Sequence, residues 1–313
     1  MTARLGLVGA RGYAGREVLR LLADHPDLEL AFAASRSMAG DAISGVVPGW
    51  DGDQTFVEPS PAMVAASGAD VVVLALPNGV SDEYLPGIPD DTVLVDLSAD
   101  HRFDDDWAYG LPELGRGDIA DSRRIANPGC YATAAMLGIA PIADDLLSEP
   151  SAFGVSGYSG AGTDPSPKND PEVLRDNVKP YKITGHIHER EISYQSGHRV
   201  RFAPSVAPFE RGLVVTILAE LETPTTEQDL MMRYASHYDG FALIEMAAAA
   251  PLPRDAAGRV TAIIGGCSVD DADPRRIGVA VAIDNLLKGA ASQALQNVNL
   301  ACGFDELAGL LPH

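Results

Sequence analysis

Short apolar runs alternate with helix-like patterns through the first third of the chain. The runs have the length of β-strands: Arg4–Val8, Leu28–Ala33, Val71–Leu76 and Thr92–Leu97. Between the first two, Glu17–Ala23 spaces its apolar residues as an amphipathic helix does. Strands that alternate with helices form parallel sheets, and strands without polar positions are buried on both faces. This part of the chain predicts a Rossmann-type, doubly wound α/β domain.

The pattern changes near residue 128. An Ala-rich helix is predicted from Tyr131 to about Leu147, and a second helical tract from Asp284 to about Cys302. Between them lie β-branched or apolar runs of strand length, namely Phe153–Ser156, Arg199–Ala203, Gly212–Glu220, Thr261–Val269 and Ile277–Ile283. These runs predict an α+β domain built on an antiparallel sheet. Ser159–Pro171 is rich in Gly, Pro, Ser and Asp and predicts a long loop, a feature often found at functional sites.

Composition narrows the classes of function. The chain has 313 residues, with 23 basic and 44 acidic side chains and a net charge of −21. A nucleic-acid or anionic-membrane partner needs a basic surface, so neither is expected. The apolar runs are far shorter than the roughly 20 residues of a membrane span, and no signal-peptide core precedes the first strand, so we expect a cytoplasmic protein. The acidity indicates either a solvated surface or adaptation to salt.

A glycine-rich turn lies between the first predicted strand and helix. Its glycines allow the backbone to approach a pyrophosphate, and the helix N-terminus offers unpaired N–H groups. The spacing is GxxGxxG and not the usual GxGxxG, so a plain tight turn is the alternative. The residues predicted to bind a dinucleotide here are Gly9, Arg11, Gly12, Tyr13, Ala14 and Gly15.

The end of the second strand indicates which dinucleotide. NAD-binding sites usually place a carboxylate there for the ribose hydroxyl. This chain has Ser35, Arg36 and Ser37 instead. Arg36 and the two hydroxyls offer donors to a 2′-phosphate, which favours NADP(H) over NAD. The alternative is an exposed arginine on a loop.

Cys130 has the sequence context of a nucleophile. The three cysteines, Cys130, Cys267 and Cys302, form no CxxC pair, so neither a zinc site nor a disulfide framework is indicated. The turn Asn127–Gly129 places Cys130 in the first turn of the following helix. There the helix dipole stabilises a thiolate and lowers the thiol pKa below its free value of about 8.5. The alternative is a buried, inert cysteine.

Two histidines are candidates for proton transfer. His186 and His188 are two residues apart and would face the same side of an extended segment. One of them is predicted to act as general acid and base near neutral pH. A metal pair lacks a third ligand at a recognisable spacing, so no metal is expected, and an exposed pair without a role is the other alternative.

Two further segments carry weaker indications. Ser156–Gly162 follows a predicted strand, and its backbone N–H groups suit an anionic substrate, although an ordinary loop fits equally well. Asn285 begins the predicted C-terminal helix and is expected either to contact a cofactor amide or to cap that helix.

Together these segments resemble the N-acetyl-gamma-glutamyl-phosphate reductase family across nearly the whole chain. The specific parts are Asn127–Thr133 (NPGCYAT) and Asp284–Asn299 (DNLLKGAASQALQNVN). The other matching segments are Gly9–Gly15, Ala75–Gly79, Leu97–Phe103, Ser156–Gly162 and His186–Ile192, in the family's order. The resemblance implies a fold like that of glyceraldehyde-phosphate and semialdehyde dehydrogenases. Its domains would be 1–129 with 285–313, binding NADP, and 130–284, for catalysis and oligomerisation.

The resemblance also implies an activity, the NADPH-dependent reduction of an acyl phosphate to an aldehyde in arginine biosynthesis. Cys130 matches the family's nucleophile, and His188 matches its acid and base. The matches at substrate-binding positions are Arg102, Glu191, Ser159 and Gly160, and Pro77 and Asn285 join the cofactor site. Arg190 and Ser205 stand where the family often has Pro and His, departures that concern the substrate contacts, including the group that blocks the amino nitrogen.

Two other functions stay open at this point. A related reductase would act on an aminoadipyl or aspartyl phosphate by the same chemistry. A non-catalytic NADPH-binding sensor would use Cys130 as a redox-sensitive thiol. For either enzyme we expect a small-molecule substrate and a homodimer or homotetramer.

Overall fold

The chain folds into two units, each described here from a computed structural model covering residues 2–311. The first unit takes the residues up to Gly129 and those from Ala290 onward, and the second is Cys130–Gly289. The sequence-based division also fell at 129, but it placed residues 285–289 with the first unit. In the structure these residues lie within the second unit, where Asn285 bonds to Gly212 and Ser159.

The first unit is a doubly wound parallel sheet, which confirms the fold class predicted for this part. Its strands follow the order β2-β1-β3-β4-β6-β5, and every neighbouring pair is parallel. The strands are β1 (Ala3–Val8), β2 (Leu28–Ala34), β3 (Val71–Leu74), β4 (Val93–Asp96), β5 (Ala108–Tyr109) and β6 (Arg124–Ala126). The helices are α1 (Tyr13–Leu22), α2 (Pro61–Ala65), α3 (Pro112–Asp121) and α9 (Ala291–Cys302).

The C-terminal helix α9 completes the core of this first unit. It packs against α1, α3 and β4, and ten of its twelve residues are buried. The helix begins at Ala291 and not at Asp284, so the predicted tract starts seven residues too early. Residues 284–290 instead form turns, in which the Asp284 carboxylate accepts hydrogen bonds from the backbone N–H groups of Leu286 and Leu287.

The second unit is built on a seven-stranded sheet of order β11-β12-β13-β10-β7-β9-β8. Its strands are β7 (Ser151–Gly157), β8 (Lys179–Pro180), β9 (Arg201–Ala207), β10 (Leu213–Glu220), β11 (Ile244–Ala247), β12 (Ala262–Val269) and β13 (Arg276–Ile283). The helices are α4 (Cys130–Ile139), α5 (Pro171–Leu174), α6 (Ile187–Ser196), α7 (Glu227–His237) and α8 (Pro253–Ala256). The predicted antiparallel pairing is present in β7–β10, β10–β13, β12–β13 and β8–β9, but the sheet is mixed, since β7–β9 and β11–β12 are parallel pairs.

Helix α4 covers one face of this sheet. Gly138 brings the helix so close that an added Cβ would collide with Ile217, and Val281 lies beside it. The α-helix ends at Ile139 and continues as a 3-10 turn over 140–145, because Pro141 lacks the N–H that an α-helix needs. On the opposite face, Phe153 and Leu218 are 49% and 51% exposed, which leaves an apolar patch at the surface.

The fully buried Asp284 carboxylate joins several parts of the second unit. It pairs with Arg211 at 2.7 and 3.0 Å and accepts the backbone N–H of Gly258 as well as those of the following turn. A buried carboxylate is stable only when it is paired and hydrogen-bonded in this way. Removing it would take the ion-pair partner from Arg211 and the acceptor from three backbone N–H groups.

We expect Asp284→Ala to lower the free energy of unfolding by about 3 kcal/mol or more, because three backbone N–H groups lose their acceptor and Arg211 loses its ion-pair partner. Urea unfolding followed by circular dichroism measures this. The control is Glu172→Ala, which breaks an exposed pair with Arg175 and should change stability by about 0.5 kcal/mol or less. Equal losses in the two variants would contradict the prediction.

Candidate active site

The glycine turn after β1 requires glycine on steric grounds. Gly9 has a φ of +88°, and a Cβ there would collide with the carbonyl of Ala75 at the end of β3. A Cβ on Gly15 would lie 2.6 Å from the carbonyl oxygen of Gly9. Backbone therefore packs directly on backbone in this turn, and a side chain at either position would open it.

The start of α1 fits the pyrophosphate of a dinucleotide. Gly12 is the N-cap residue, and no side chain caps the helix. The first N–H groups of α1 are therefore left for an anion, and the helix dipole favours negative charge there. Arg11 is exposed beside this turn, and Tyr13 and Ala14 open the helix.

The other predicted cofactor residues lie at the same edge of the sheet. Strands β2, β1 and β3 are neighbours, so Ser35–Ser37, the glycine turn and Pro77 follow three adjacent carboxyl ends. This is the edge at which parallel α/β sheets bind their ligands. Ser35 is buried, with its N–H donating to Val57, whereas Arg36 and Ser37 are exposed.

Arg102 is held at the carboxyl ends of two further strands of the first unit. It is buried, and its Nε donates to the carbonyl of Asn127 at 2.9 Å. One Nη donates to the carbonyl of Leu97 at 2.8 Å. The guanidinium is thus fixed just beyond β4 and β6, and its contact with a substrate anion stays a prediction.

In the second unit, Cys130 and both histidines line one pocket of about 220 Å³. Cys130 is the first residue of α4, so its thiol lies at a helix N-terminus. Gly289 packs against it, and a Cβ at that position would lie 2.6 Å from the Cβ of Cys130. The other lining residues are Tyr131, Ser156, Gly157, Gly160, Ala161, Lys168, Tyr181, Ile187 and Val206.

The two histidines differ in their environment, and they lie at the start of a helix and not on the extended segment on which they would face the same side. His186 is the N-cap of α6, and its Nδ1 accepts the backbone N–H of His188 at 3.1 Å. The Glu189 carboxylate accepts the N–H groups of Gly185 and Phe202, which fixes the same helix end. His188 lies in the first turn of α6, with its ring centroid 4.8 Å from that of His186.

The capping bond decides the protonation of His186. Because Nδ1 accepts a hydrogen bond, the ring is neutral and carries its proton on Nε2. Burial, together with the nearby Lys168 and Lys182, lowers the pKa of His186 to about 4 against the opposing charge of Glu189. A ring that is neutral throughout the physiological range is unsuited to donate protons, which leaves His188 as the acid and base candidate of the pocket.

Two of the predicted contact residues, Ser159 and Asn285, have structural hydrogen bonds in this unit. The Ser159 hydroxyl donates to the carbonyl of Glu210 and accepts from Asn285, and it does not line the pocket. Asn285 also accepts the N–H of Gly212 and caps no helix, so the capping hypothesis is wrong. Glu191 is fully buried in α6 and is not among the residues that line the pocket, whereas Gly160 does line it.

Two family models and several named relatives match this chain over nearly its whole length. The semialdehyde dehydrogenase NAD binding domain matches residues 4–122, and the semialdehyde dehydrogenase dimerisation domain matches 130–285. The N-acetyl-gamma-glutamyl-phosphate reductase of Xanthomonas euvesicatoria pv. vesicatoria is 48% identical over 98% of both chains. That of Stenotrophomonas maltophilia is also 48% identical, over 100% of this chain and 99% of the relative. The chain belongs to the N-acetyl-gamma-glutamyl-phosphate reductase family.

Solved structures outside this reductase family share the fold. Aspartate semialdehyde dehydrogenase II from Vibrio cholerae aligns with a TM-score of 0.78 at 18% identity, covering 97% of this chain and 99% of its own. A probable aspartate-semialdehyde dehydrogenase from Pseudomonas aeruginosa gives 0.76 at 17% identity, with 96% and 99% covered. At these identities the likeness concerns the fold alone.

The pocket of this reductase-family chain includes residues that sequence analysis missed. Tyr131 donates to the carbonyl of Ser205 at 2.6 Å, and burial raises the pKa values of Tyr131 and Tyr181 above the usual 10. Lys168 lies in the segment predicted as a functional loop, but no pattern singled out the lysine. Within residues 2–311, no three His, Cys, Asp or Glu side chains are grouped as metal ligands, and no helix is long and apolar enough to cross a membrane.

We expect His186→Asn to reduce the loss of stability on acidification. Asn retains an acceptor at the N-cap but does not titrate. In the wild type the unfolded chain binds a proton at His186 below about pH 6.5 while the folded chain does so only near pH 4, so stability falls as pH falls between these values. Urea unfolding at pH 7 and pH 4.5 should show a smaller difference in the variant. His186→Ala, without the cap, should cost about 1 kcal/mol at pH 7.

The same loss of stability between the two pH values in the wild type and in His186→Asn would contradict this account of the capping histidine.

Proposed function

We propose that this protein reduces N-acetyl-gamma-glutamyl phosphate to N-acetylglutamate 5-semialdehyde and phosphate, with NADPH as reductant, in arginine biosynthesis. The observation that carries the proposal is the pocket that holds Cys130, at a helix N-terminus, together with His188. The substrate follows from the family, whose relatives of 48% identity are reductases of this acyl phosphate.

Cys130 is proposed as the nucleophile. A helix N-terminus stabilises a thiolate, and a thiolate attacks an acyl phosphate readily. The sulfur forms a bond to the acyl carbon, the C–O bond to phosphate breaks, and its electron pair leaves with the phosphate. The product of this step is a thioester on Cys130.

His188 is proposed to move the proton. NADPH supplies the hydride that reduces the thioester carbonyl. His188 gives the carbonyl oxygen its proton at that stage and takes it back when the C–S bond breaks and the aldehyde forms. The one proton that the overall reaction consumes ends on the phosphate. The neutral, hydrogen-bonded His186 holds the helix end on which His188 stands.

The remaining roles extend the same proposal. Arg102 and Glu191 are assigned to substrate binding with Gly160, whereas the hydroxyl of Ser159 serves the turn that carries Gly160. The glycine turn is assigned to the pyrophosphate and Arg36 to the 2′-phosphate of NADP(H). For Asn285, the assigned contact with the cofactor amide would use its second amide hydrogen, because the first bonds Ser159.

We also propose a cytoplasmic homodimer or homotetramer. The matching dimerisation domain and the exposed apolar pair Phe153 and Leu218 on the open sheet face support the assembly. Sedimentation equilibrium at micromolar concentration distinguishes the two states, and a monomer at that concentration would exclude both.

We expect Cys130→Ser to lower turnover by at least about 10³-fold, because a serine hydroxyl is not ionised near neutral pH. The assay runs in reverse, with N-acetylglutamate semialdehyde, NADP⁺ and phosphate, and follows NADPH absorbance. The control is Cys302→Ser, which changes a thiol outside the pocket and should stay within about threefold of the wild type. Near-normal turnover of Cys130→Ser would exclude the thioester route. If the wild type used aspartate semialdehyde but not N-acetylglutamate semialdehyde, the substrate would be the aspartyl phosphate instead.

We expect Arg36→Ala to raise the KM for NADPH about tenfold or more and to leave the KM for NADH within about twofold, because only NADPH carries the phosphate that the guanidinium would bind. Steady-state kinetics with both coenzymes measure the split. Arg254→Ala, which removes an exposed arginine of the second unit, is the charge-matched control. Equal effects on both coenzymes would contradict the assignment of Arg36.

A further inference from the structure

Lys168 lines the pocket beside Cys130 and has no part in the chemistry described so far. Its side chain is exposed, and its ammonium lies 5.1 Å from the centroid of the Tyr181 ring. Within residues 2–311, no carboxylate oxygen lies within the 4.0 Å of an ion pair with this ammonium. The charge of Lys168 is therefore available to a ligand of the pocket.

The backbone that carries Lys168 is fixed by its neighbour. The Asn169 amide nitrogen donates to the carbonyls of Gly162 and Asp164, at 2.8 and 2.7 Å. The amide oxygen accepts the N–H and the hydroxyl of Ser166, at 2.7 and 3.1 Å. The Ser166 hydroxyl in turn accepts the N–H of Lys168 at 3.3 Å. One side chain thus closes the loop, so the lysine stem starts from a defined position.

Lys168 supplies the positive charge of a lysine or arginine in this pocket. Among the described residues that line the pocket, Lys168 is the one lysine or arginine. The capping bond keeps His186 neutral, and burial raises the pKa values of Tyr131 and Tyr181, so both phenols stay protonated near neutral pH. The chain as a whole carries a charge of −21, which repels anions at long range. An anionic substrate therefore needs a local cation.

We propose that the Lys168 ammonium binds the phosphoryl group of the acyl phosphate, and inorganic phosphate in the reverse reaction. This inference rests on the proposed function for the identity of the anion. When Cys130 attacks, the C–O bond breaks and its electron pair stays on the phosphate, so the negative charge near the lysine grows. A compact ammonium with three donors suits such a group, and its attraction increases along the step.

Steady-state kinetics of the reverse reaction test the assignment. We expect Lys168→Met to raise the KM for phosphate about tenfold, with the KM values for aldehyde and NADP⁺ within about twofold, because only phosphate loses a charged hydrogen bond. Methionine keeps most of the lysine stem against Tyr181, and Lys168→Arg should restore most of the phosphate affinity. An unchanged KM for phosphate overturns the proposal. A rise in the KM for the aldehyde instead places the substrate carboxylate at Lys168 and overturns it too.

The matched control is Lys182→Met. Lys182 lies just after β8 and acts on His186 through space, as Lys168 does, but it does not line the pocket. The substitution removes the same charge, and we expect a KM for phosphate within about twofold of the wild type. If both substitutions raised the KM for phosphate equally, the cause would be the long-range effect of a lost positive charge and not binding of phosphate by Lys168. That result would overturn the proposal.

Alkylation of Cys130 provides a measurement that needs no turnover. The Cys130 thiolate attacks the CH₂ carbon of anionic iodoacetate or of neutral iodoacetamide and displaces iodide. The rate with iodoacetate divided by the rate with iodoacetamide therefore cancels any change in thiolate fraction. We expect this ratio to fall about fivefold in Lys168→Met, because the attraction between two unit charges about 4 Å apart in water corresponds to about that factor. In Lys182→Met the ratio should stay unchanged. Mass spectrometry of the Cys130 peptide separates this thiol from Cys267 and Cys302. An unchanged ratio in Lys168→Met overturns the proposal.

The two measurements separate failure of the inference from failure of the proposed function. If the activity is assigned wrongly, the wild type forms no NADPH with phosphate and the semialdehyde. The alkylation ratio then still reports on the lysine, and phosphate should slow alkylation by iodoacetate in the wild type but not in Lys168→Met. If only the inference fails, the wild type turns over and the Lys168 variant matches it in both measurements.

Discussion

The second unit depends on one buried carboxylate. Asp284 has no contact with water, and its oxygens are satisfied by Arg211 and by three backbone N–H groups. These bonds hold residues 284–289 in turns where the sequence favours a helix. Asn285 consequently reaches the start of β10 and the turn at Ser159, and Gly289 comes against Cys130. The walls of the pocket around Cys130 are thereby tied to the buried ion pair of Asp284 and Arg211.

The architecture of the first unit was predictable because each of its signals is local. A fully apolar strand, a glycine turn and an amphipathic helix follow one another at the N-terminus, and steric contacts of Gly9 and Gly15 explain why those positions are glycine. The position of Cys130 was equally local, since a Pro-Gly pair before an Ala-rich tract defines a helix start. In both cases the residues that determine the structure are neighbours in sequence.

Long-range features were not predictable in this way. The parallel pairing of β7 with β9 joins segments about 50 residues apart, and no alternation of side chains encodes the direction of a partner strand. The conformation around the two histidines could not be predicted for a related reason. An HxH pattern fits an extended segment, but Glu189 binds the backbone of Phe202 on β9 and so supports a helix start at Ile187. The place of Lys168 in the pocket could not be predicted either, because a single lysine in a loop has no sequence pattern that indicates which pocket it lines.

The course of the chain through the two units has a consequence for its synthesis. The second unit is one continuous stretch of chain, whereas the first unit is assembled from the segments that precede and follow that stretch. On the ribosome, helix α9 emerges only after the whole of the second unit has been made, although it fills the space beside α1, α3 and β4. The nascent nucleotide-binding sheet therefore waits with an uncovered apolar flank while its neighbour can already fold. A chaperone that shields this flank would act after residue 129 has been made and until α9, which ends at Cys302, has followed.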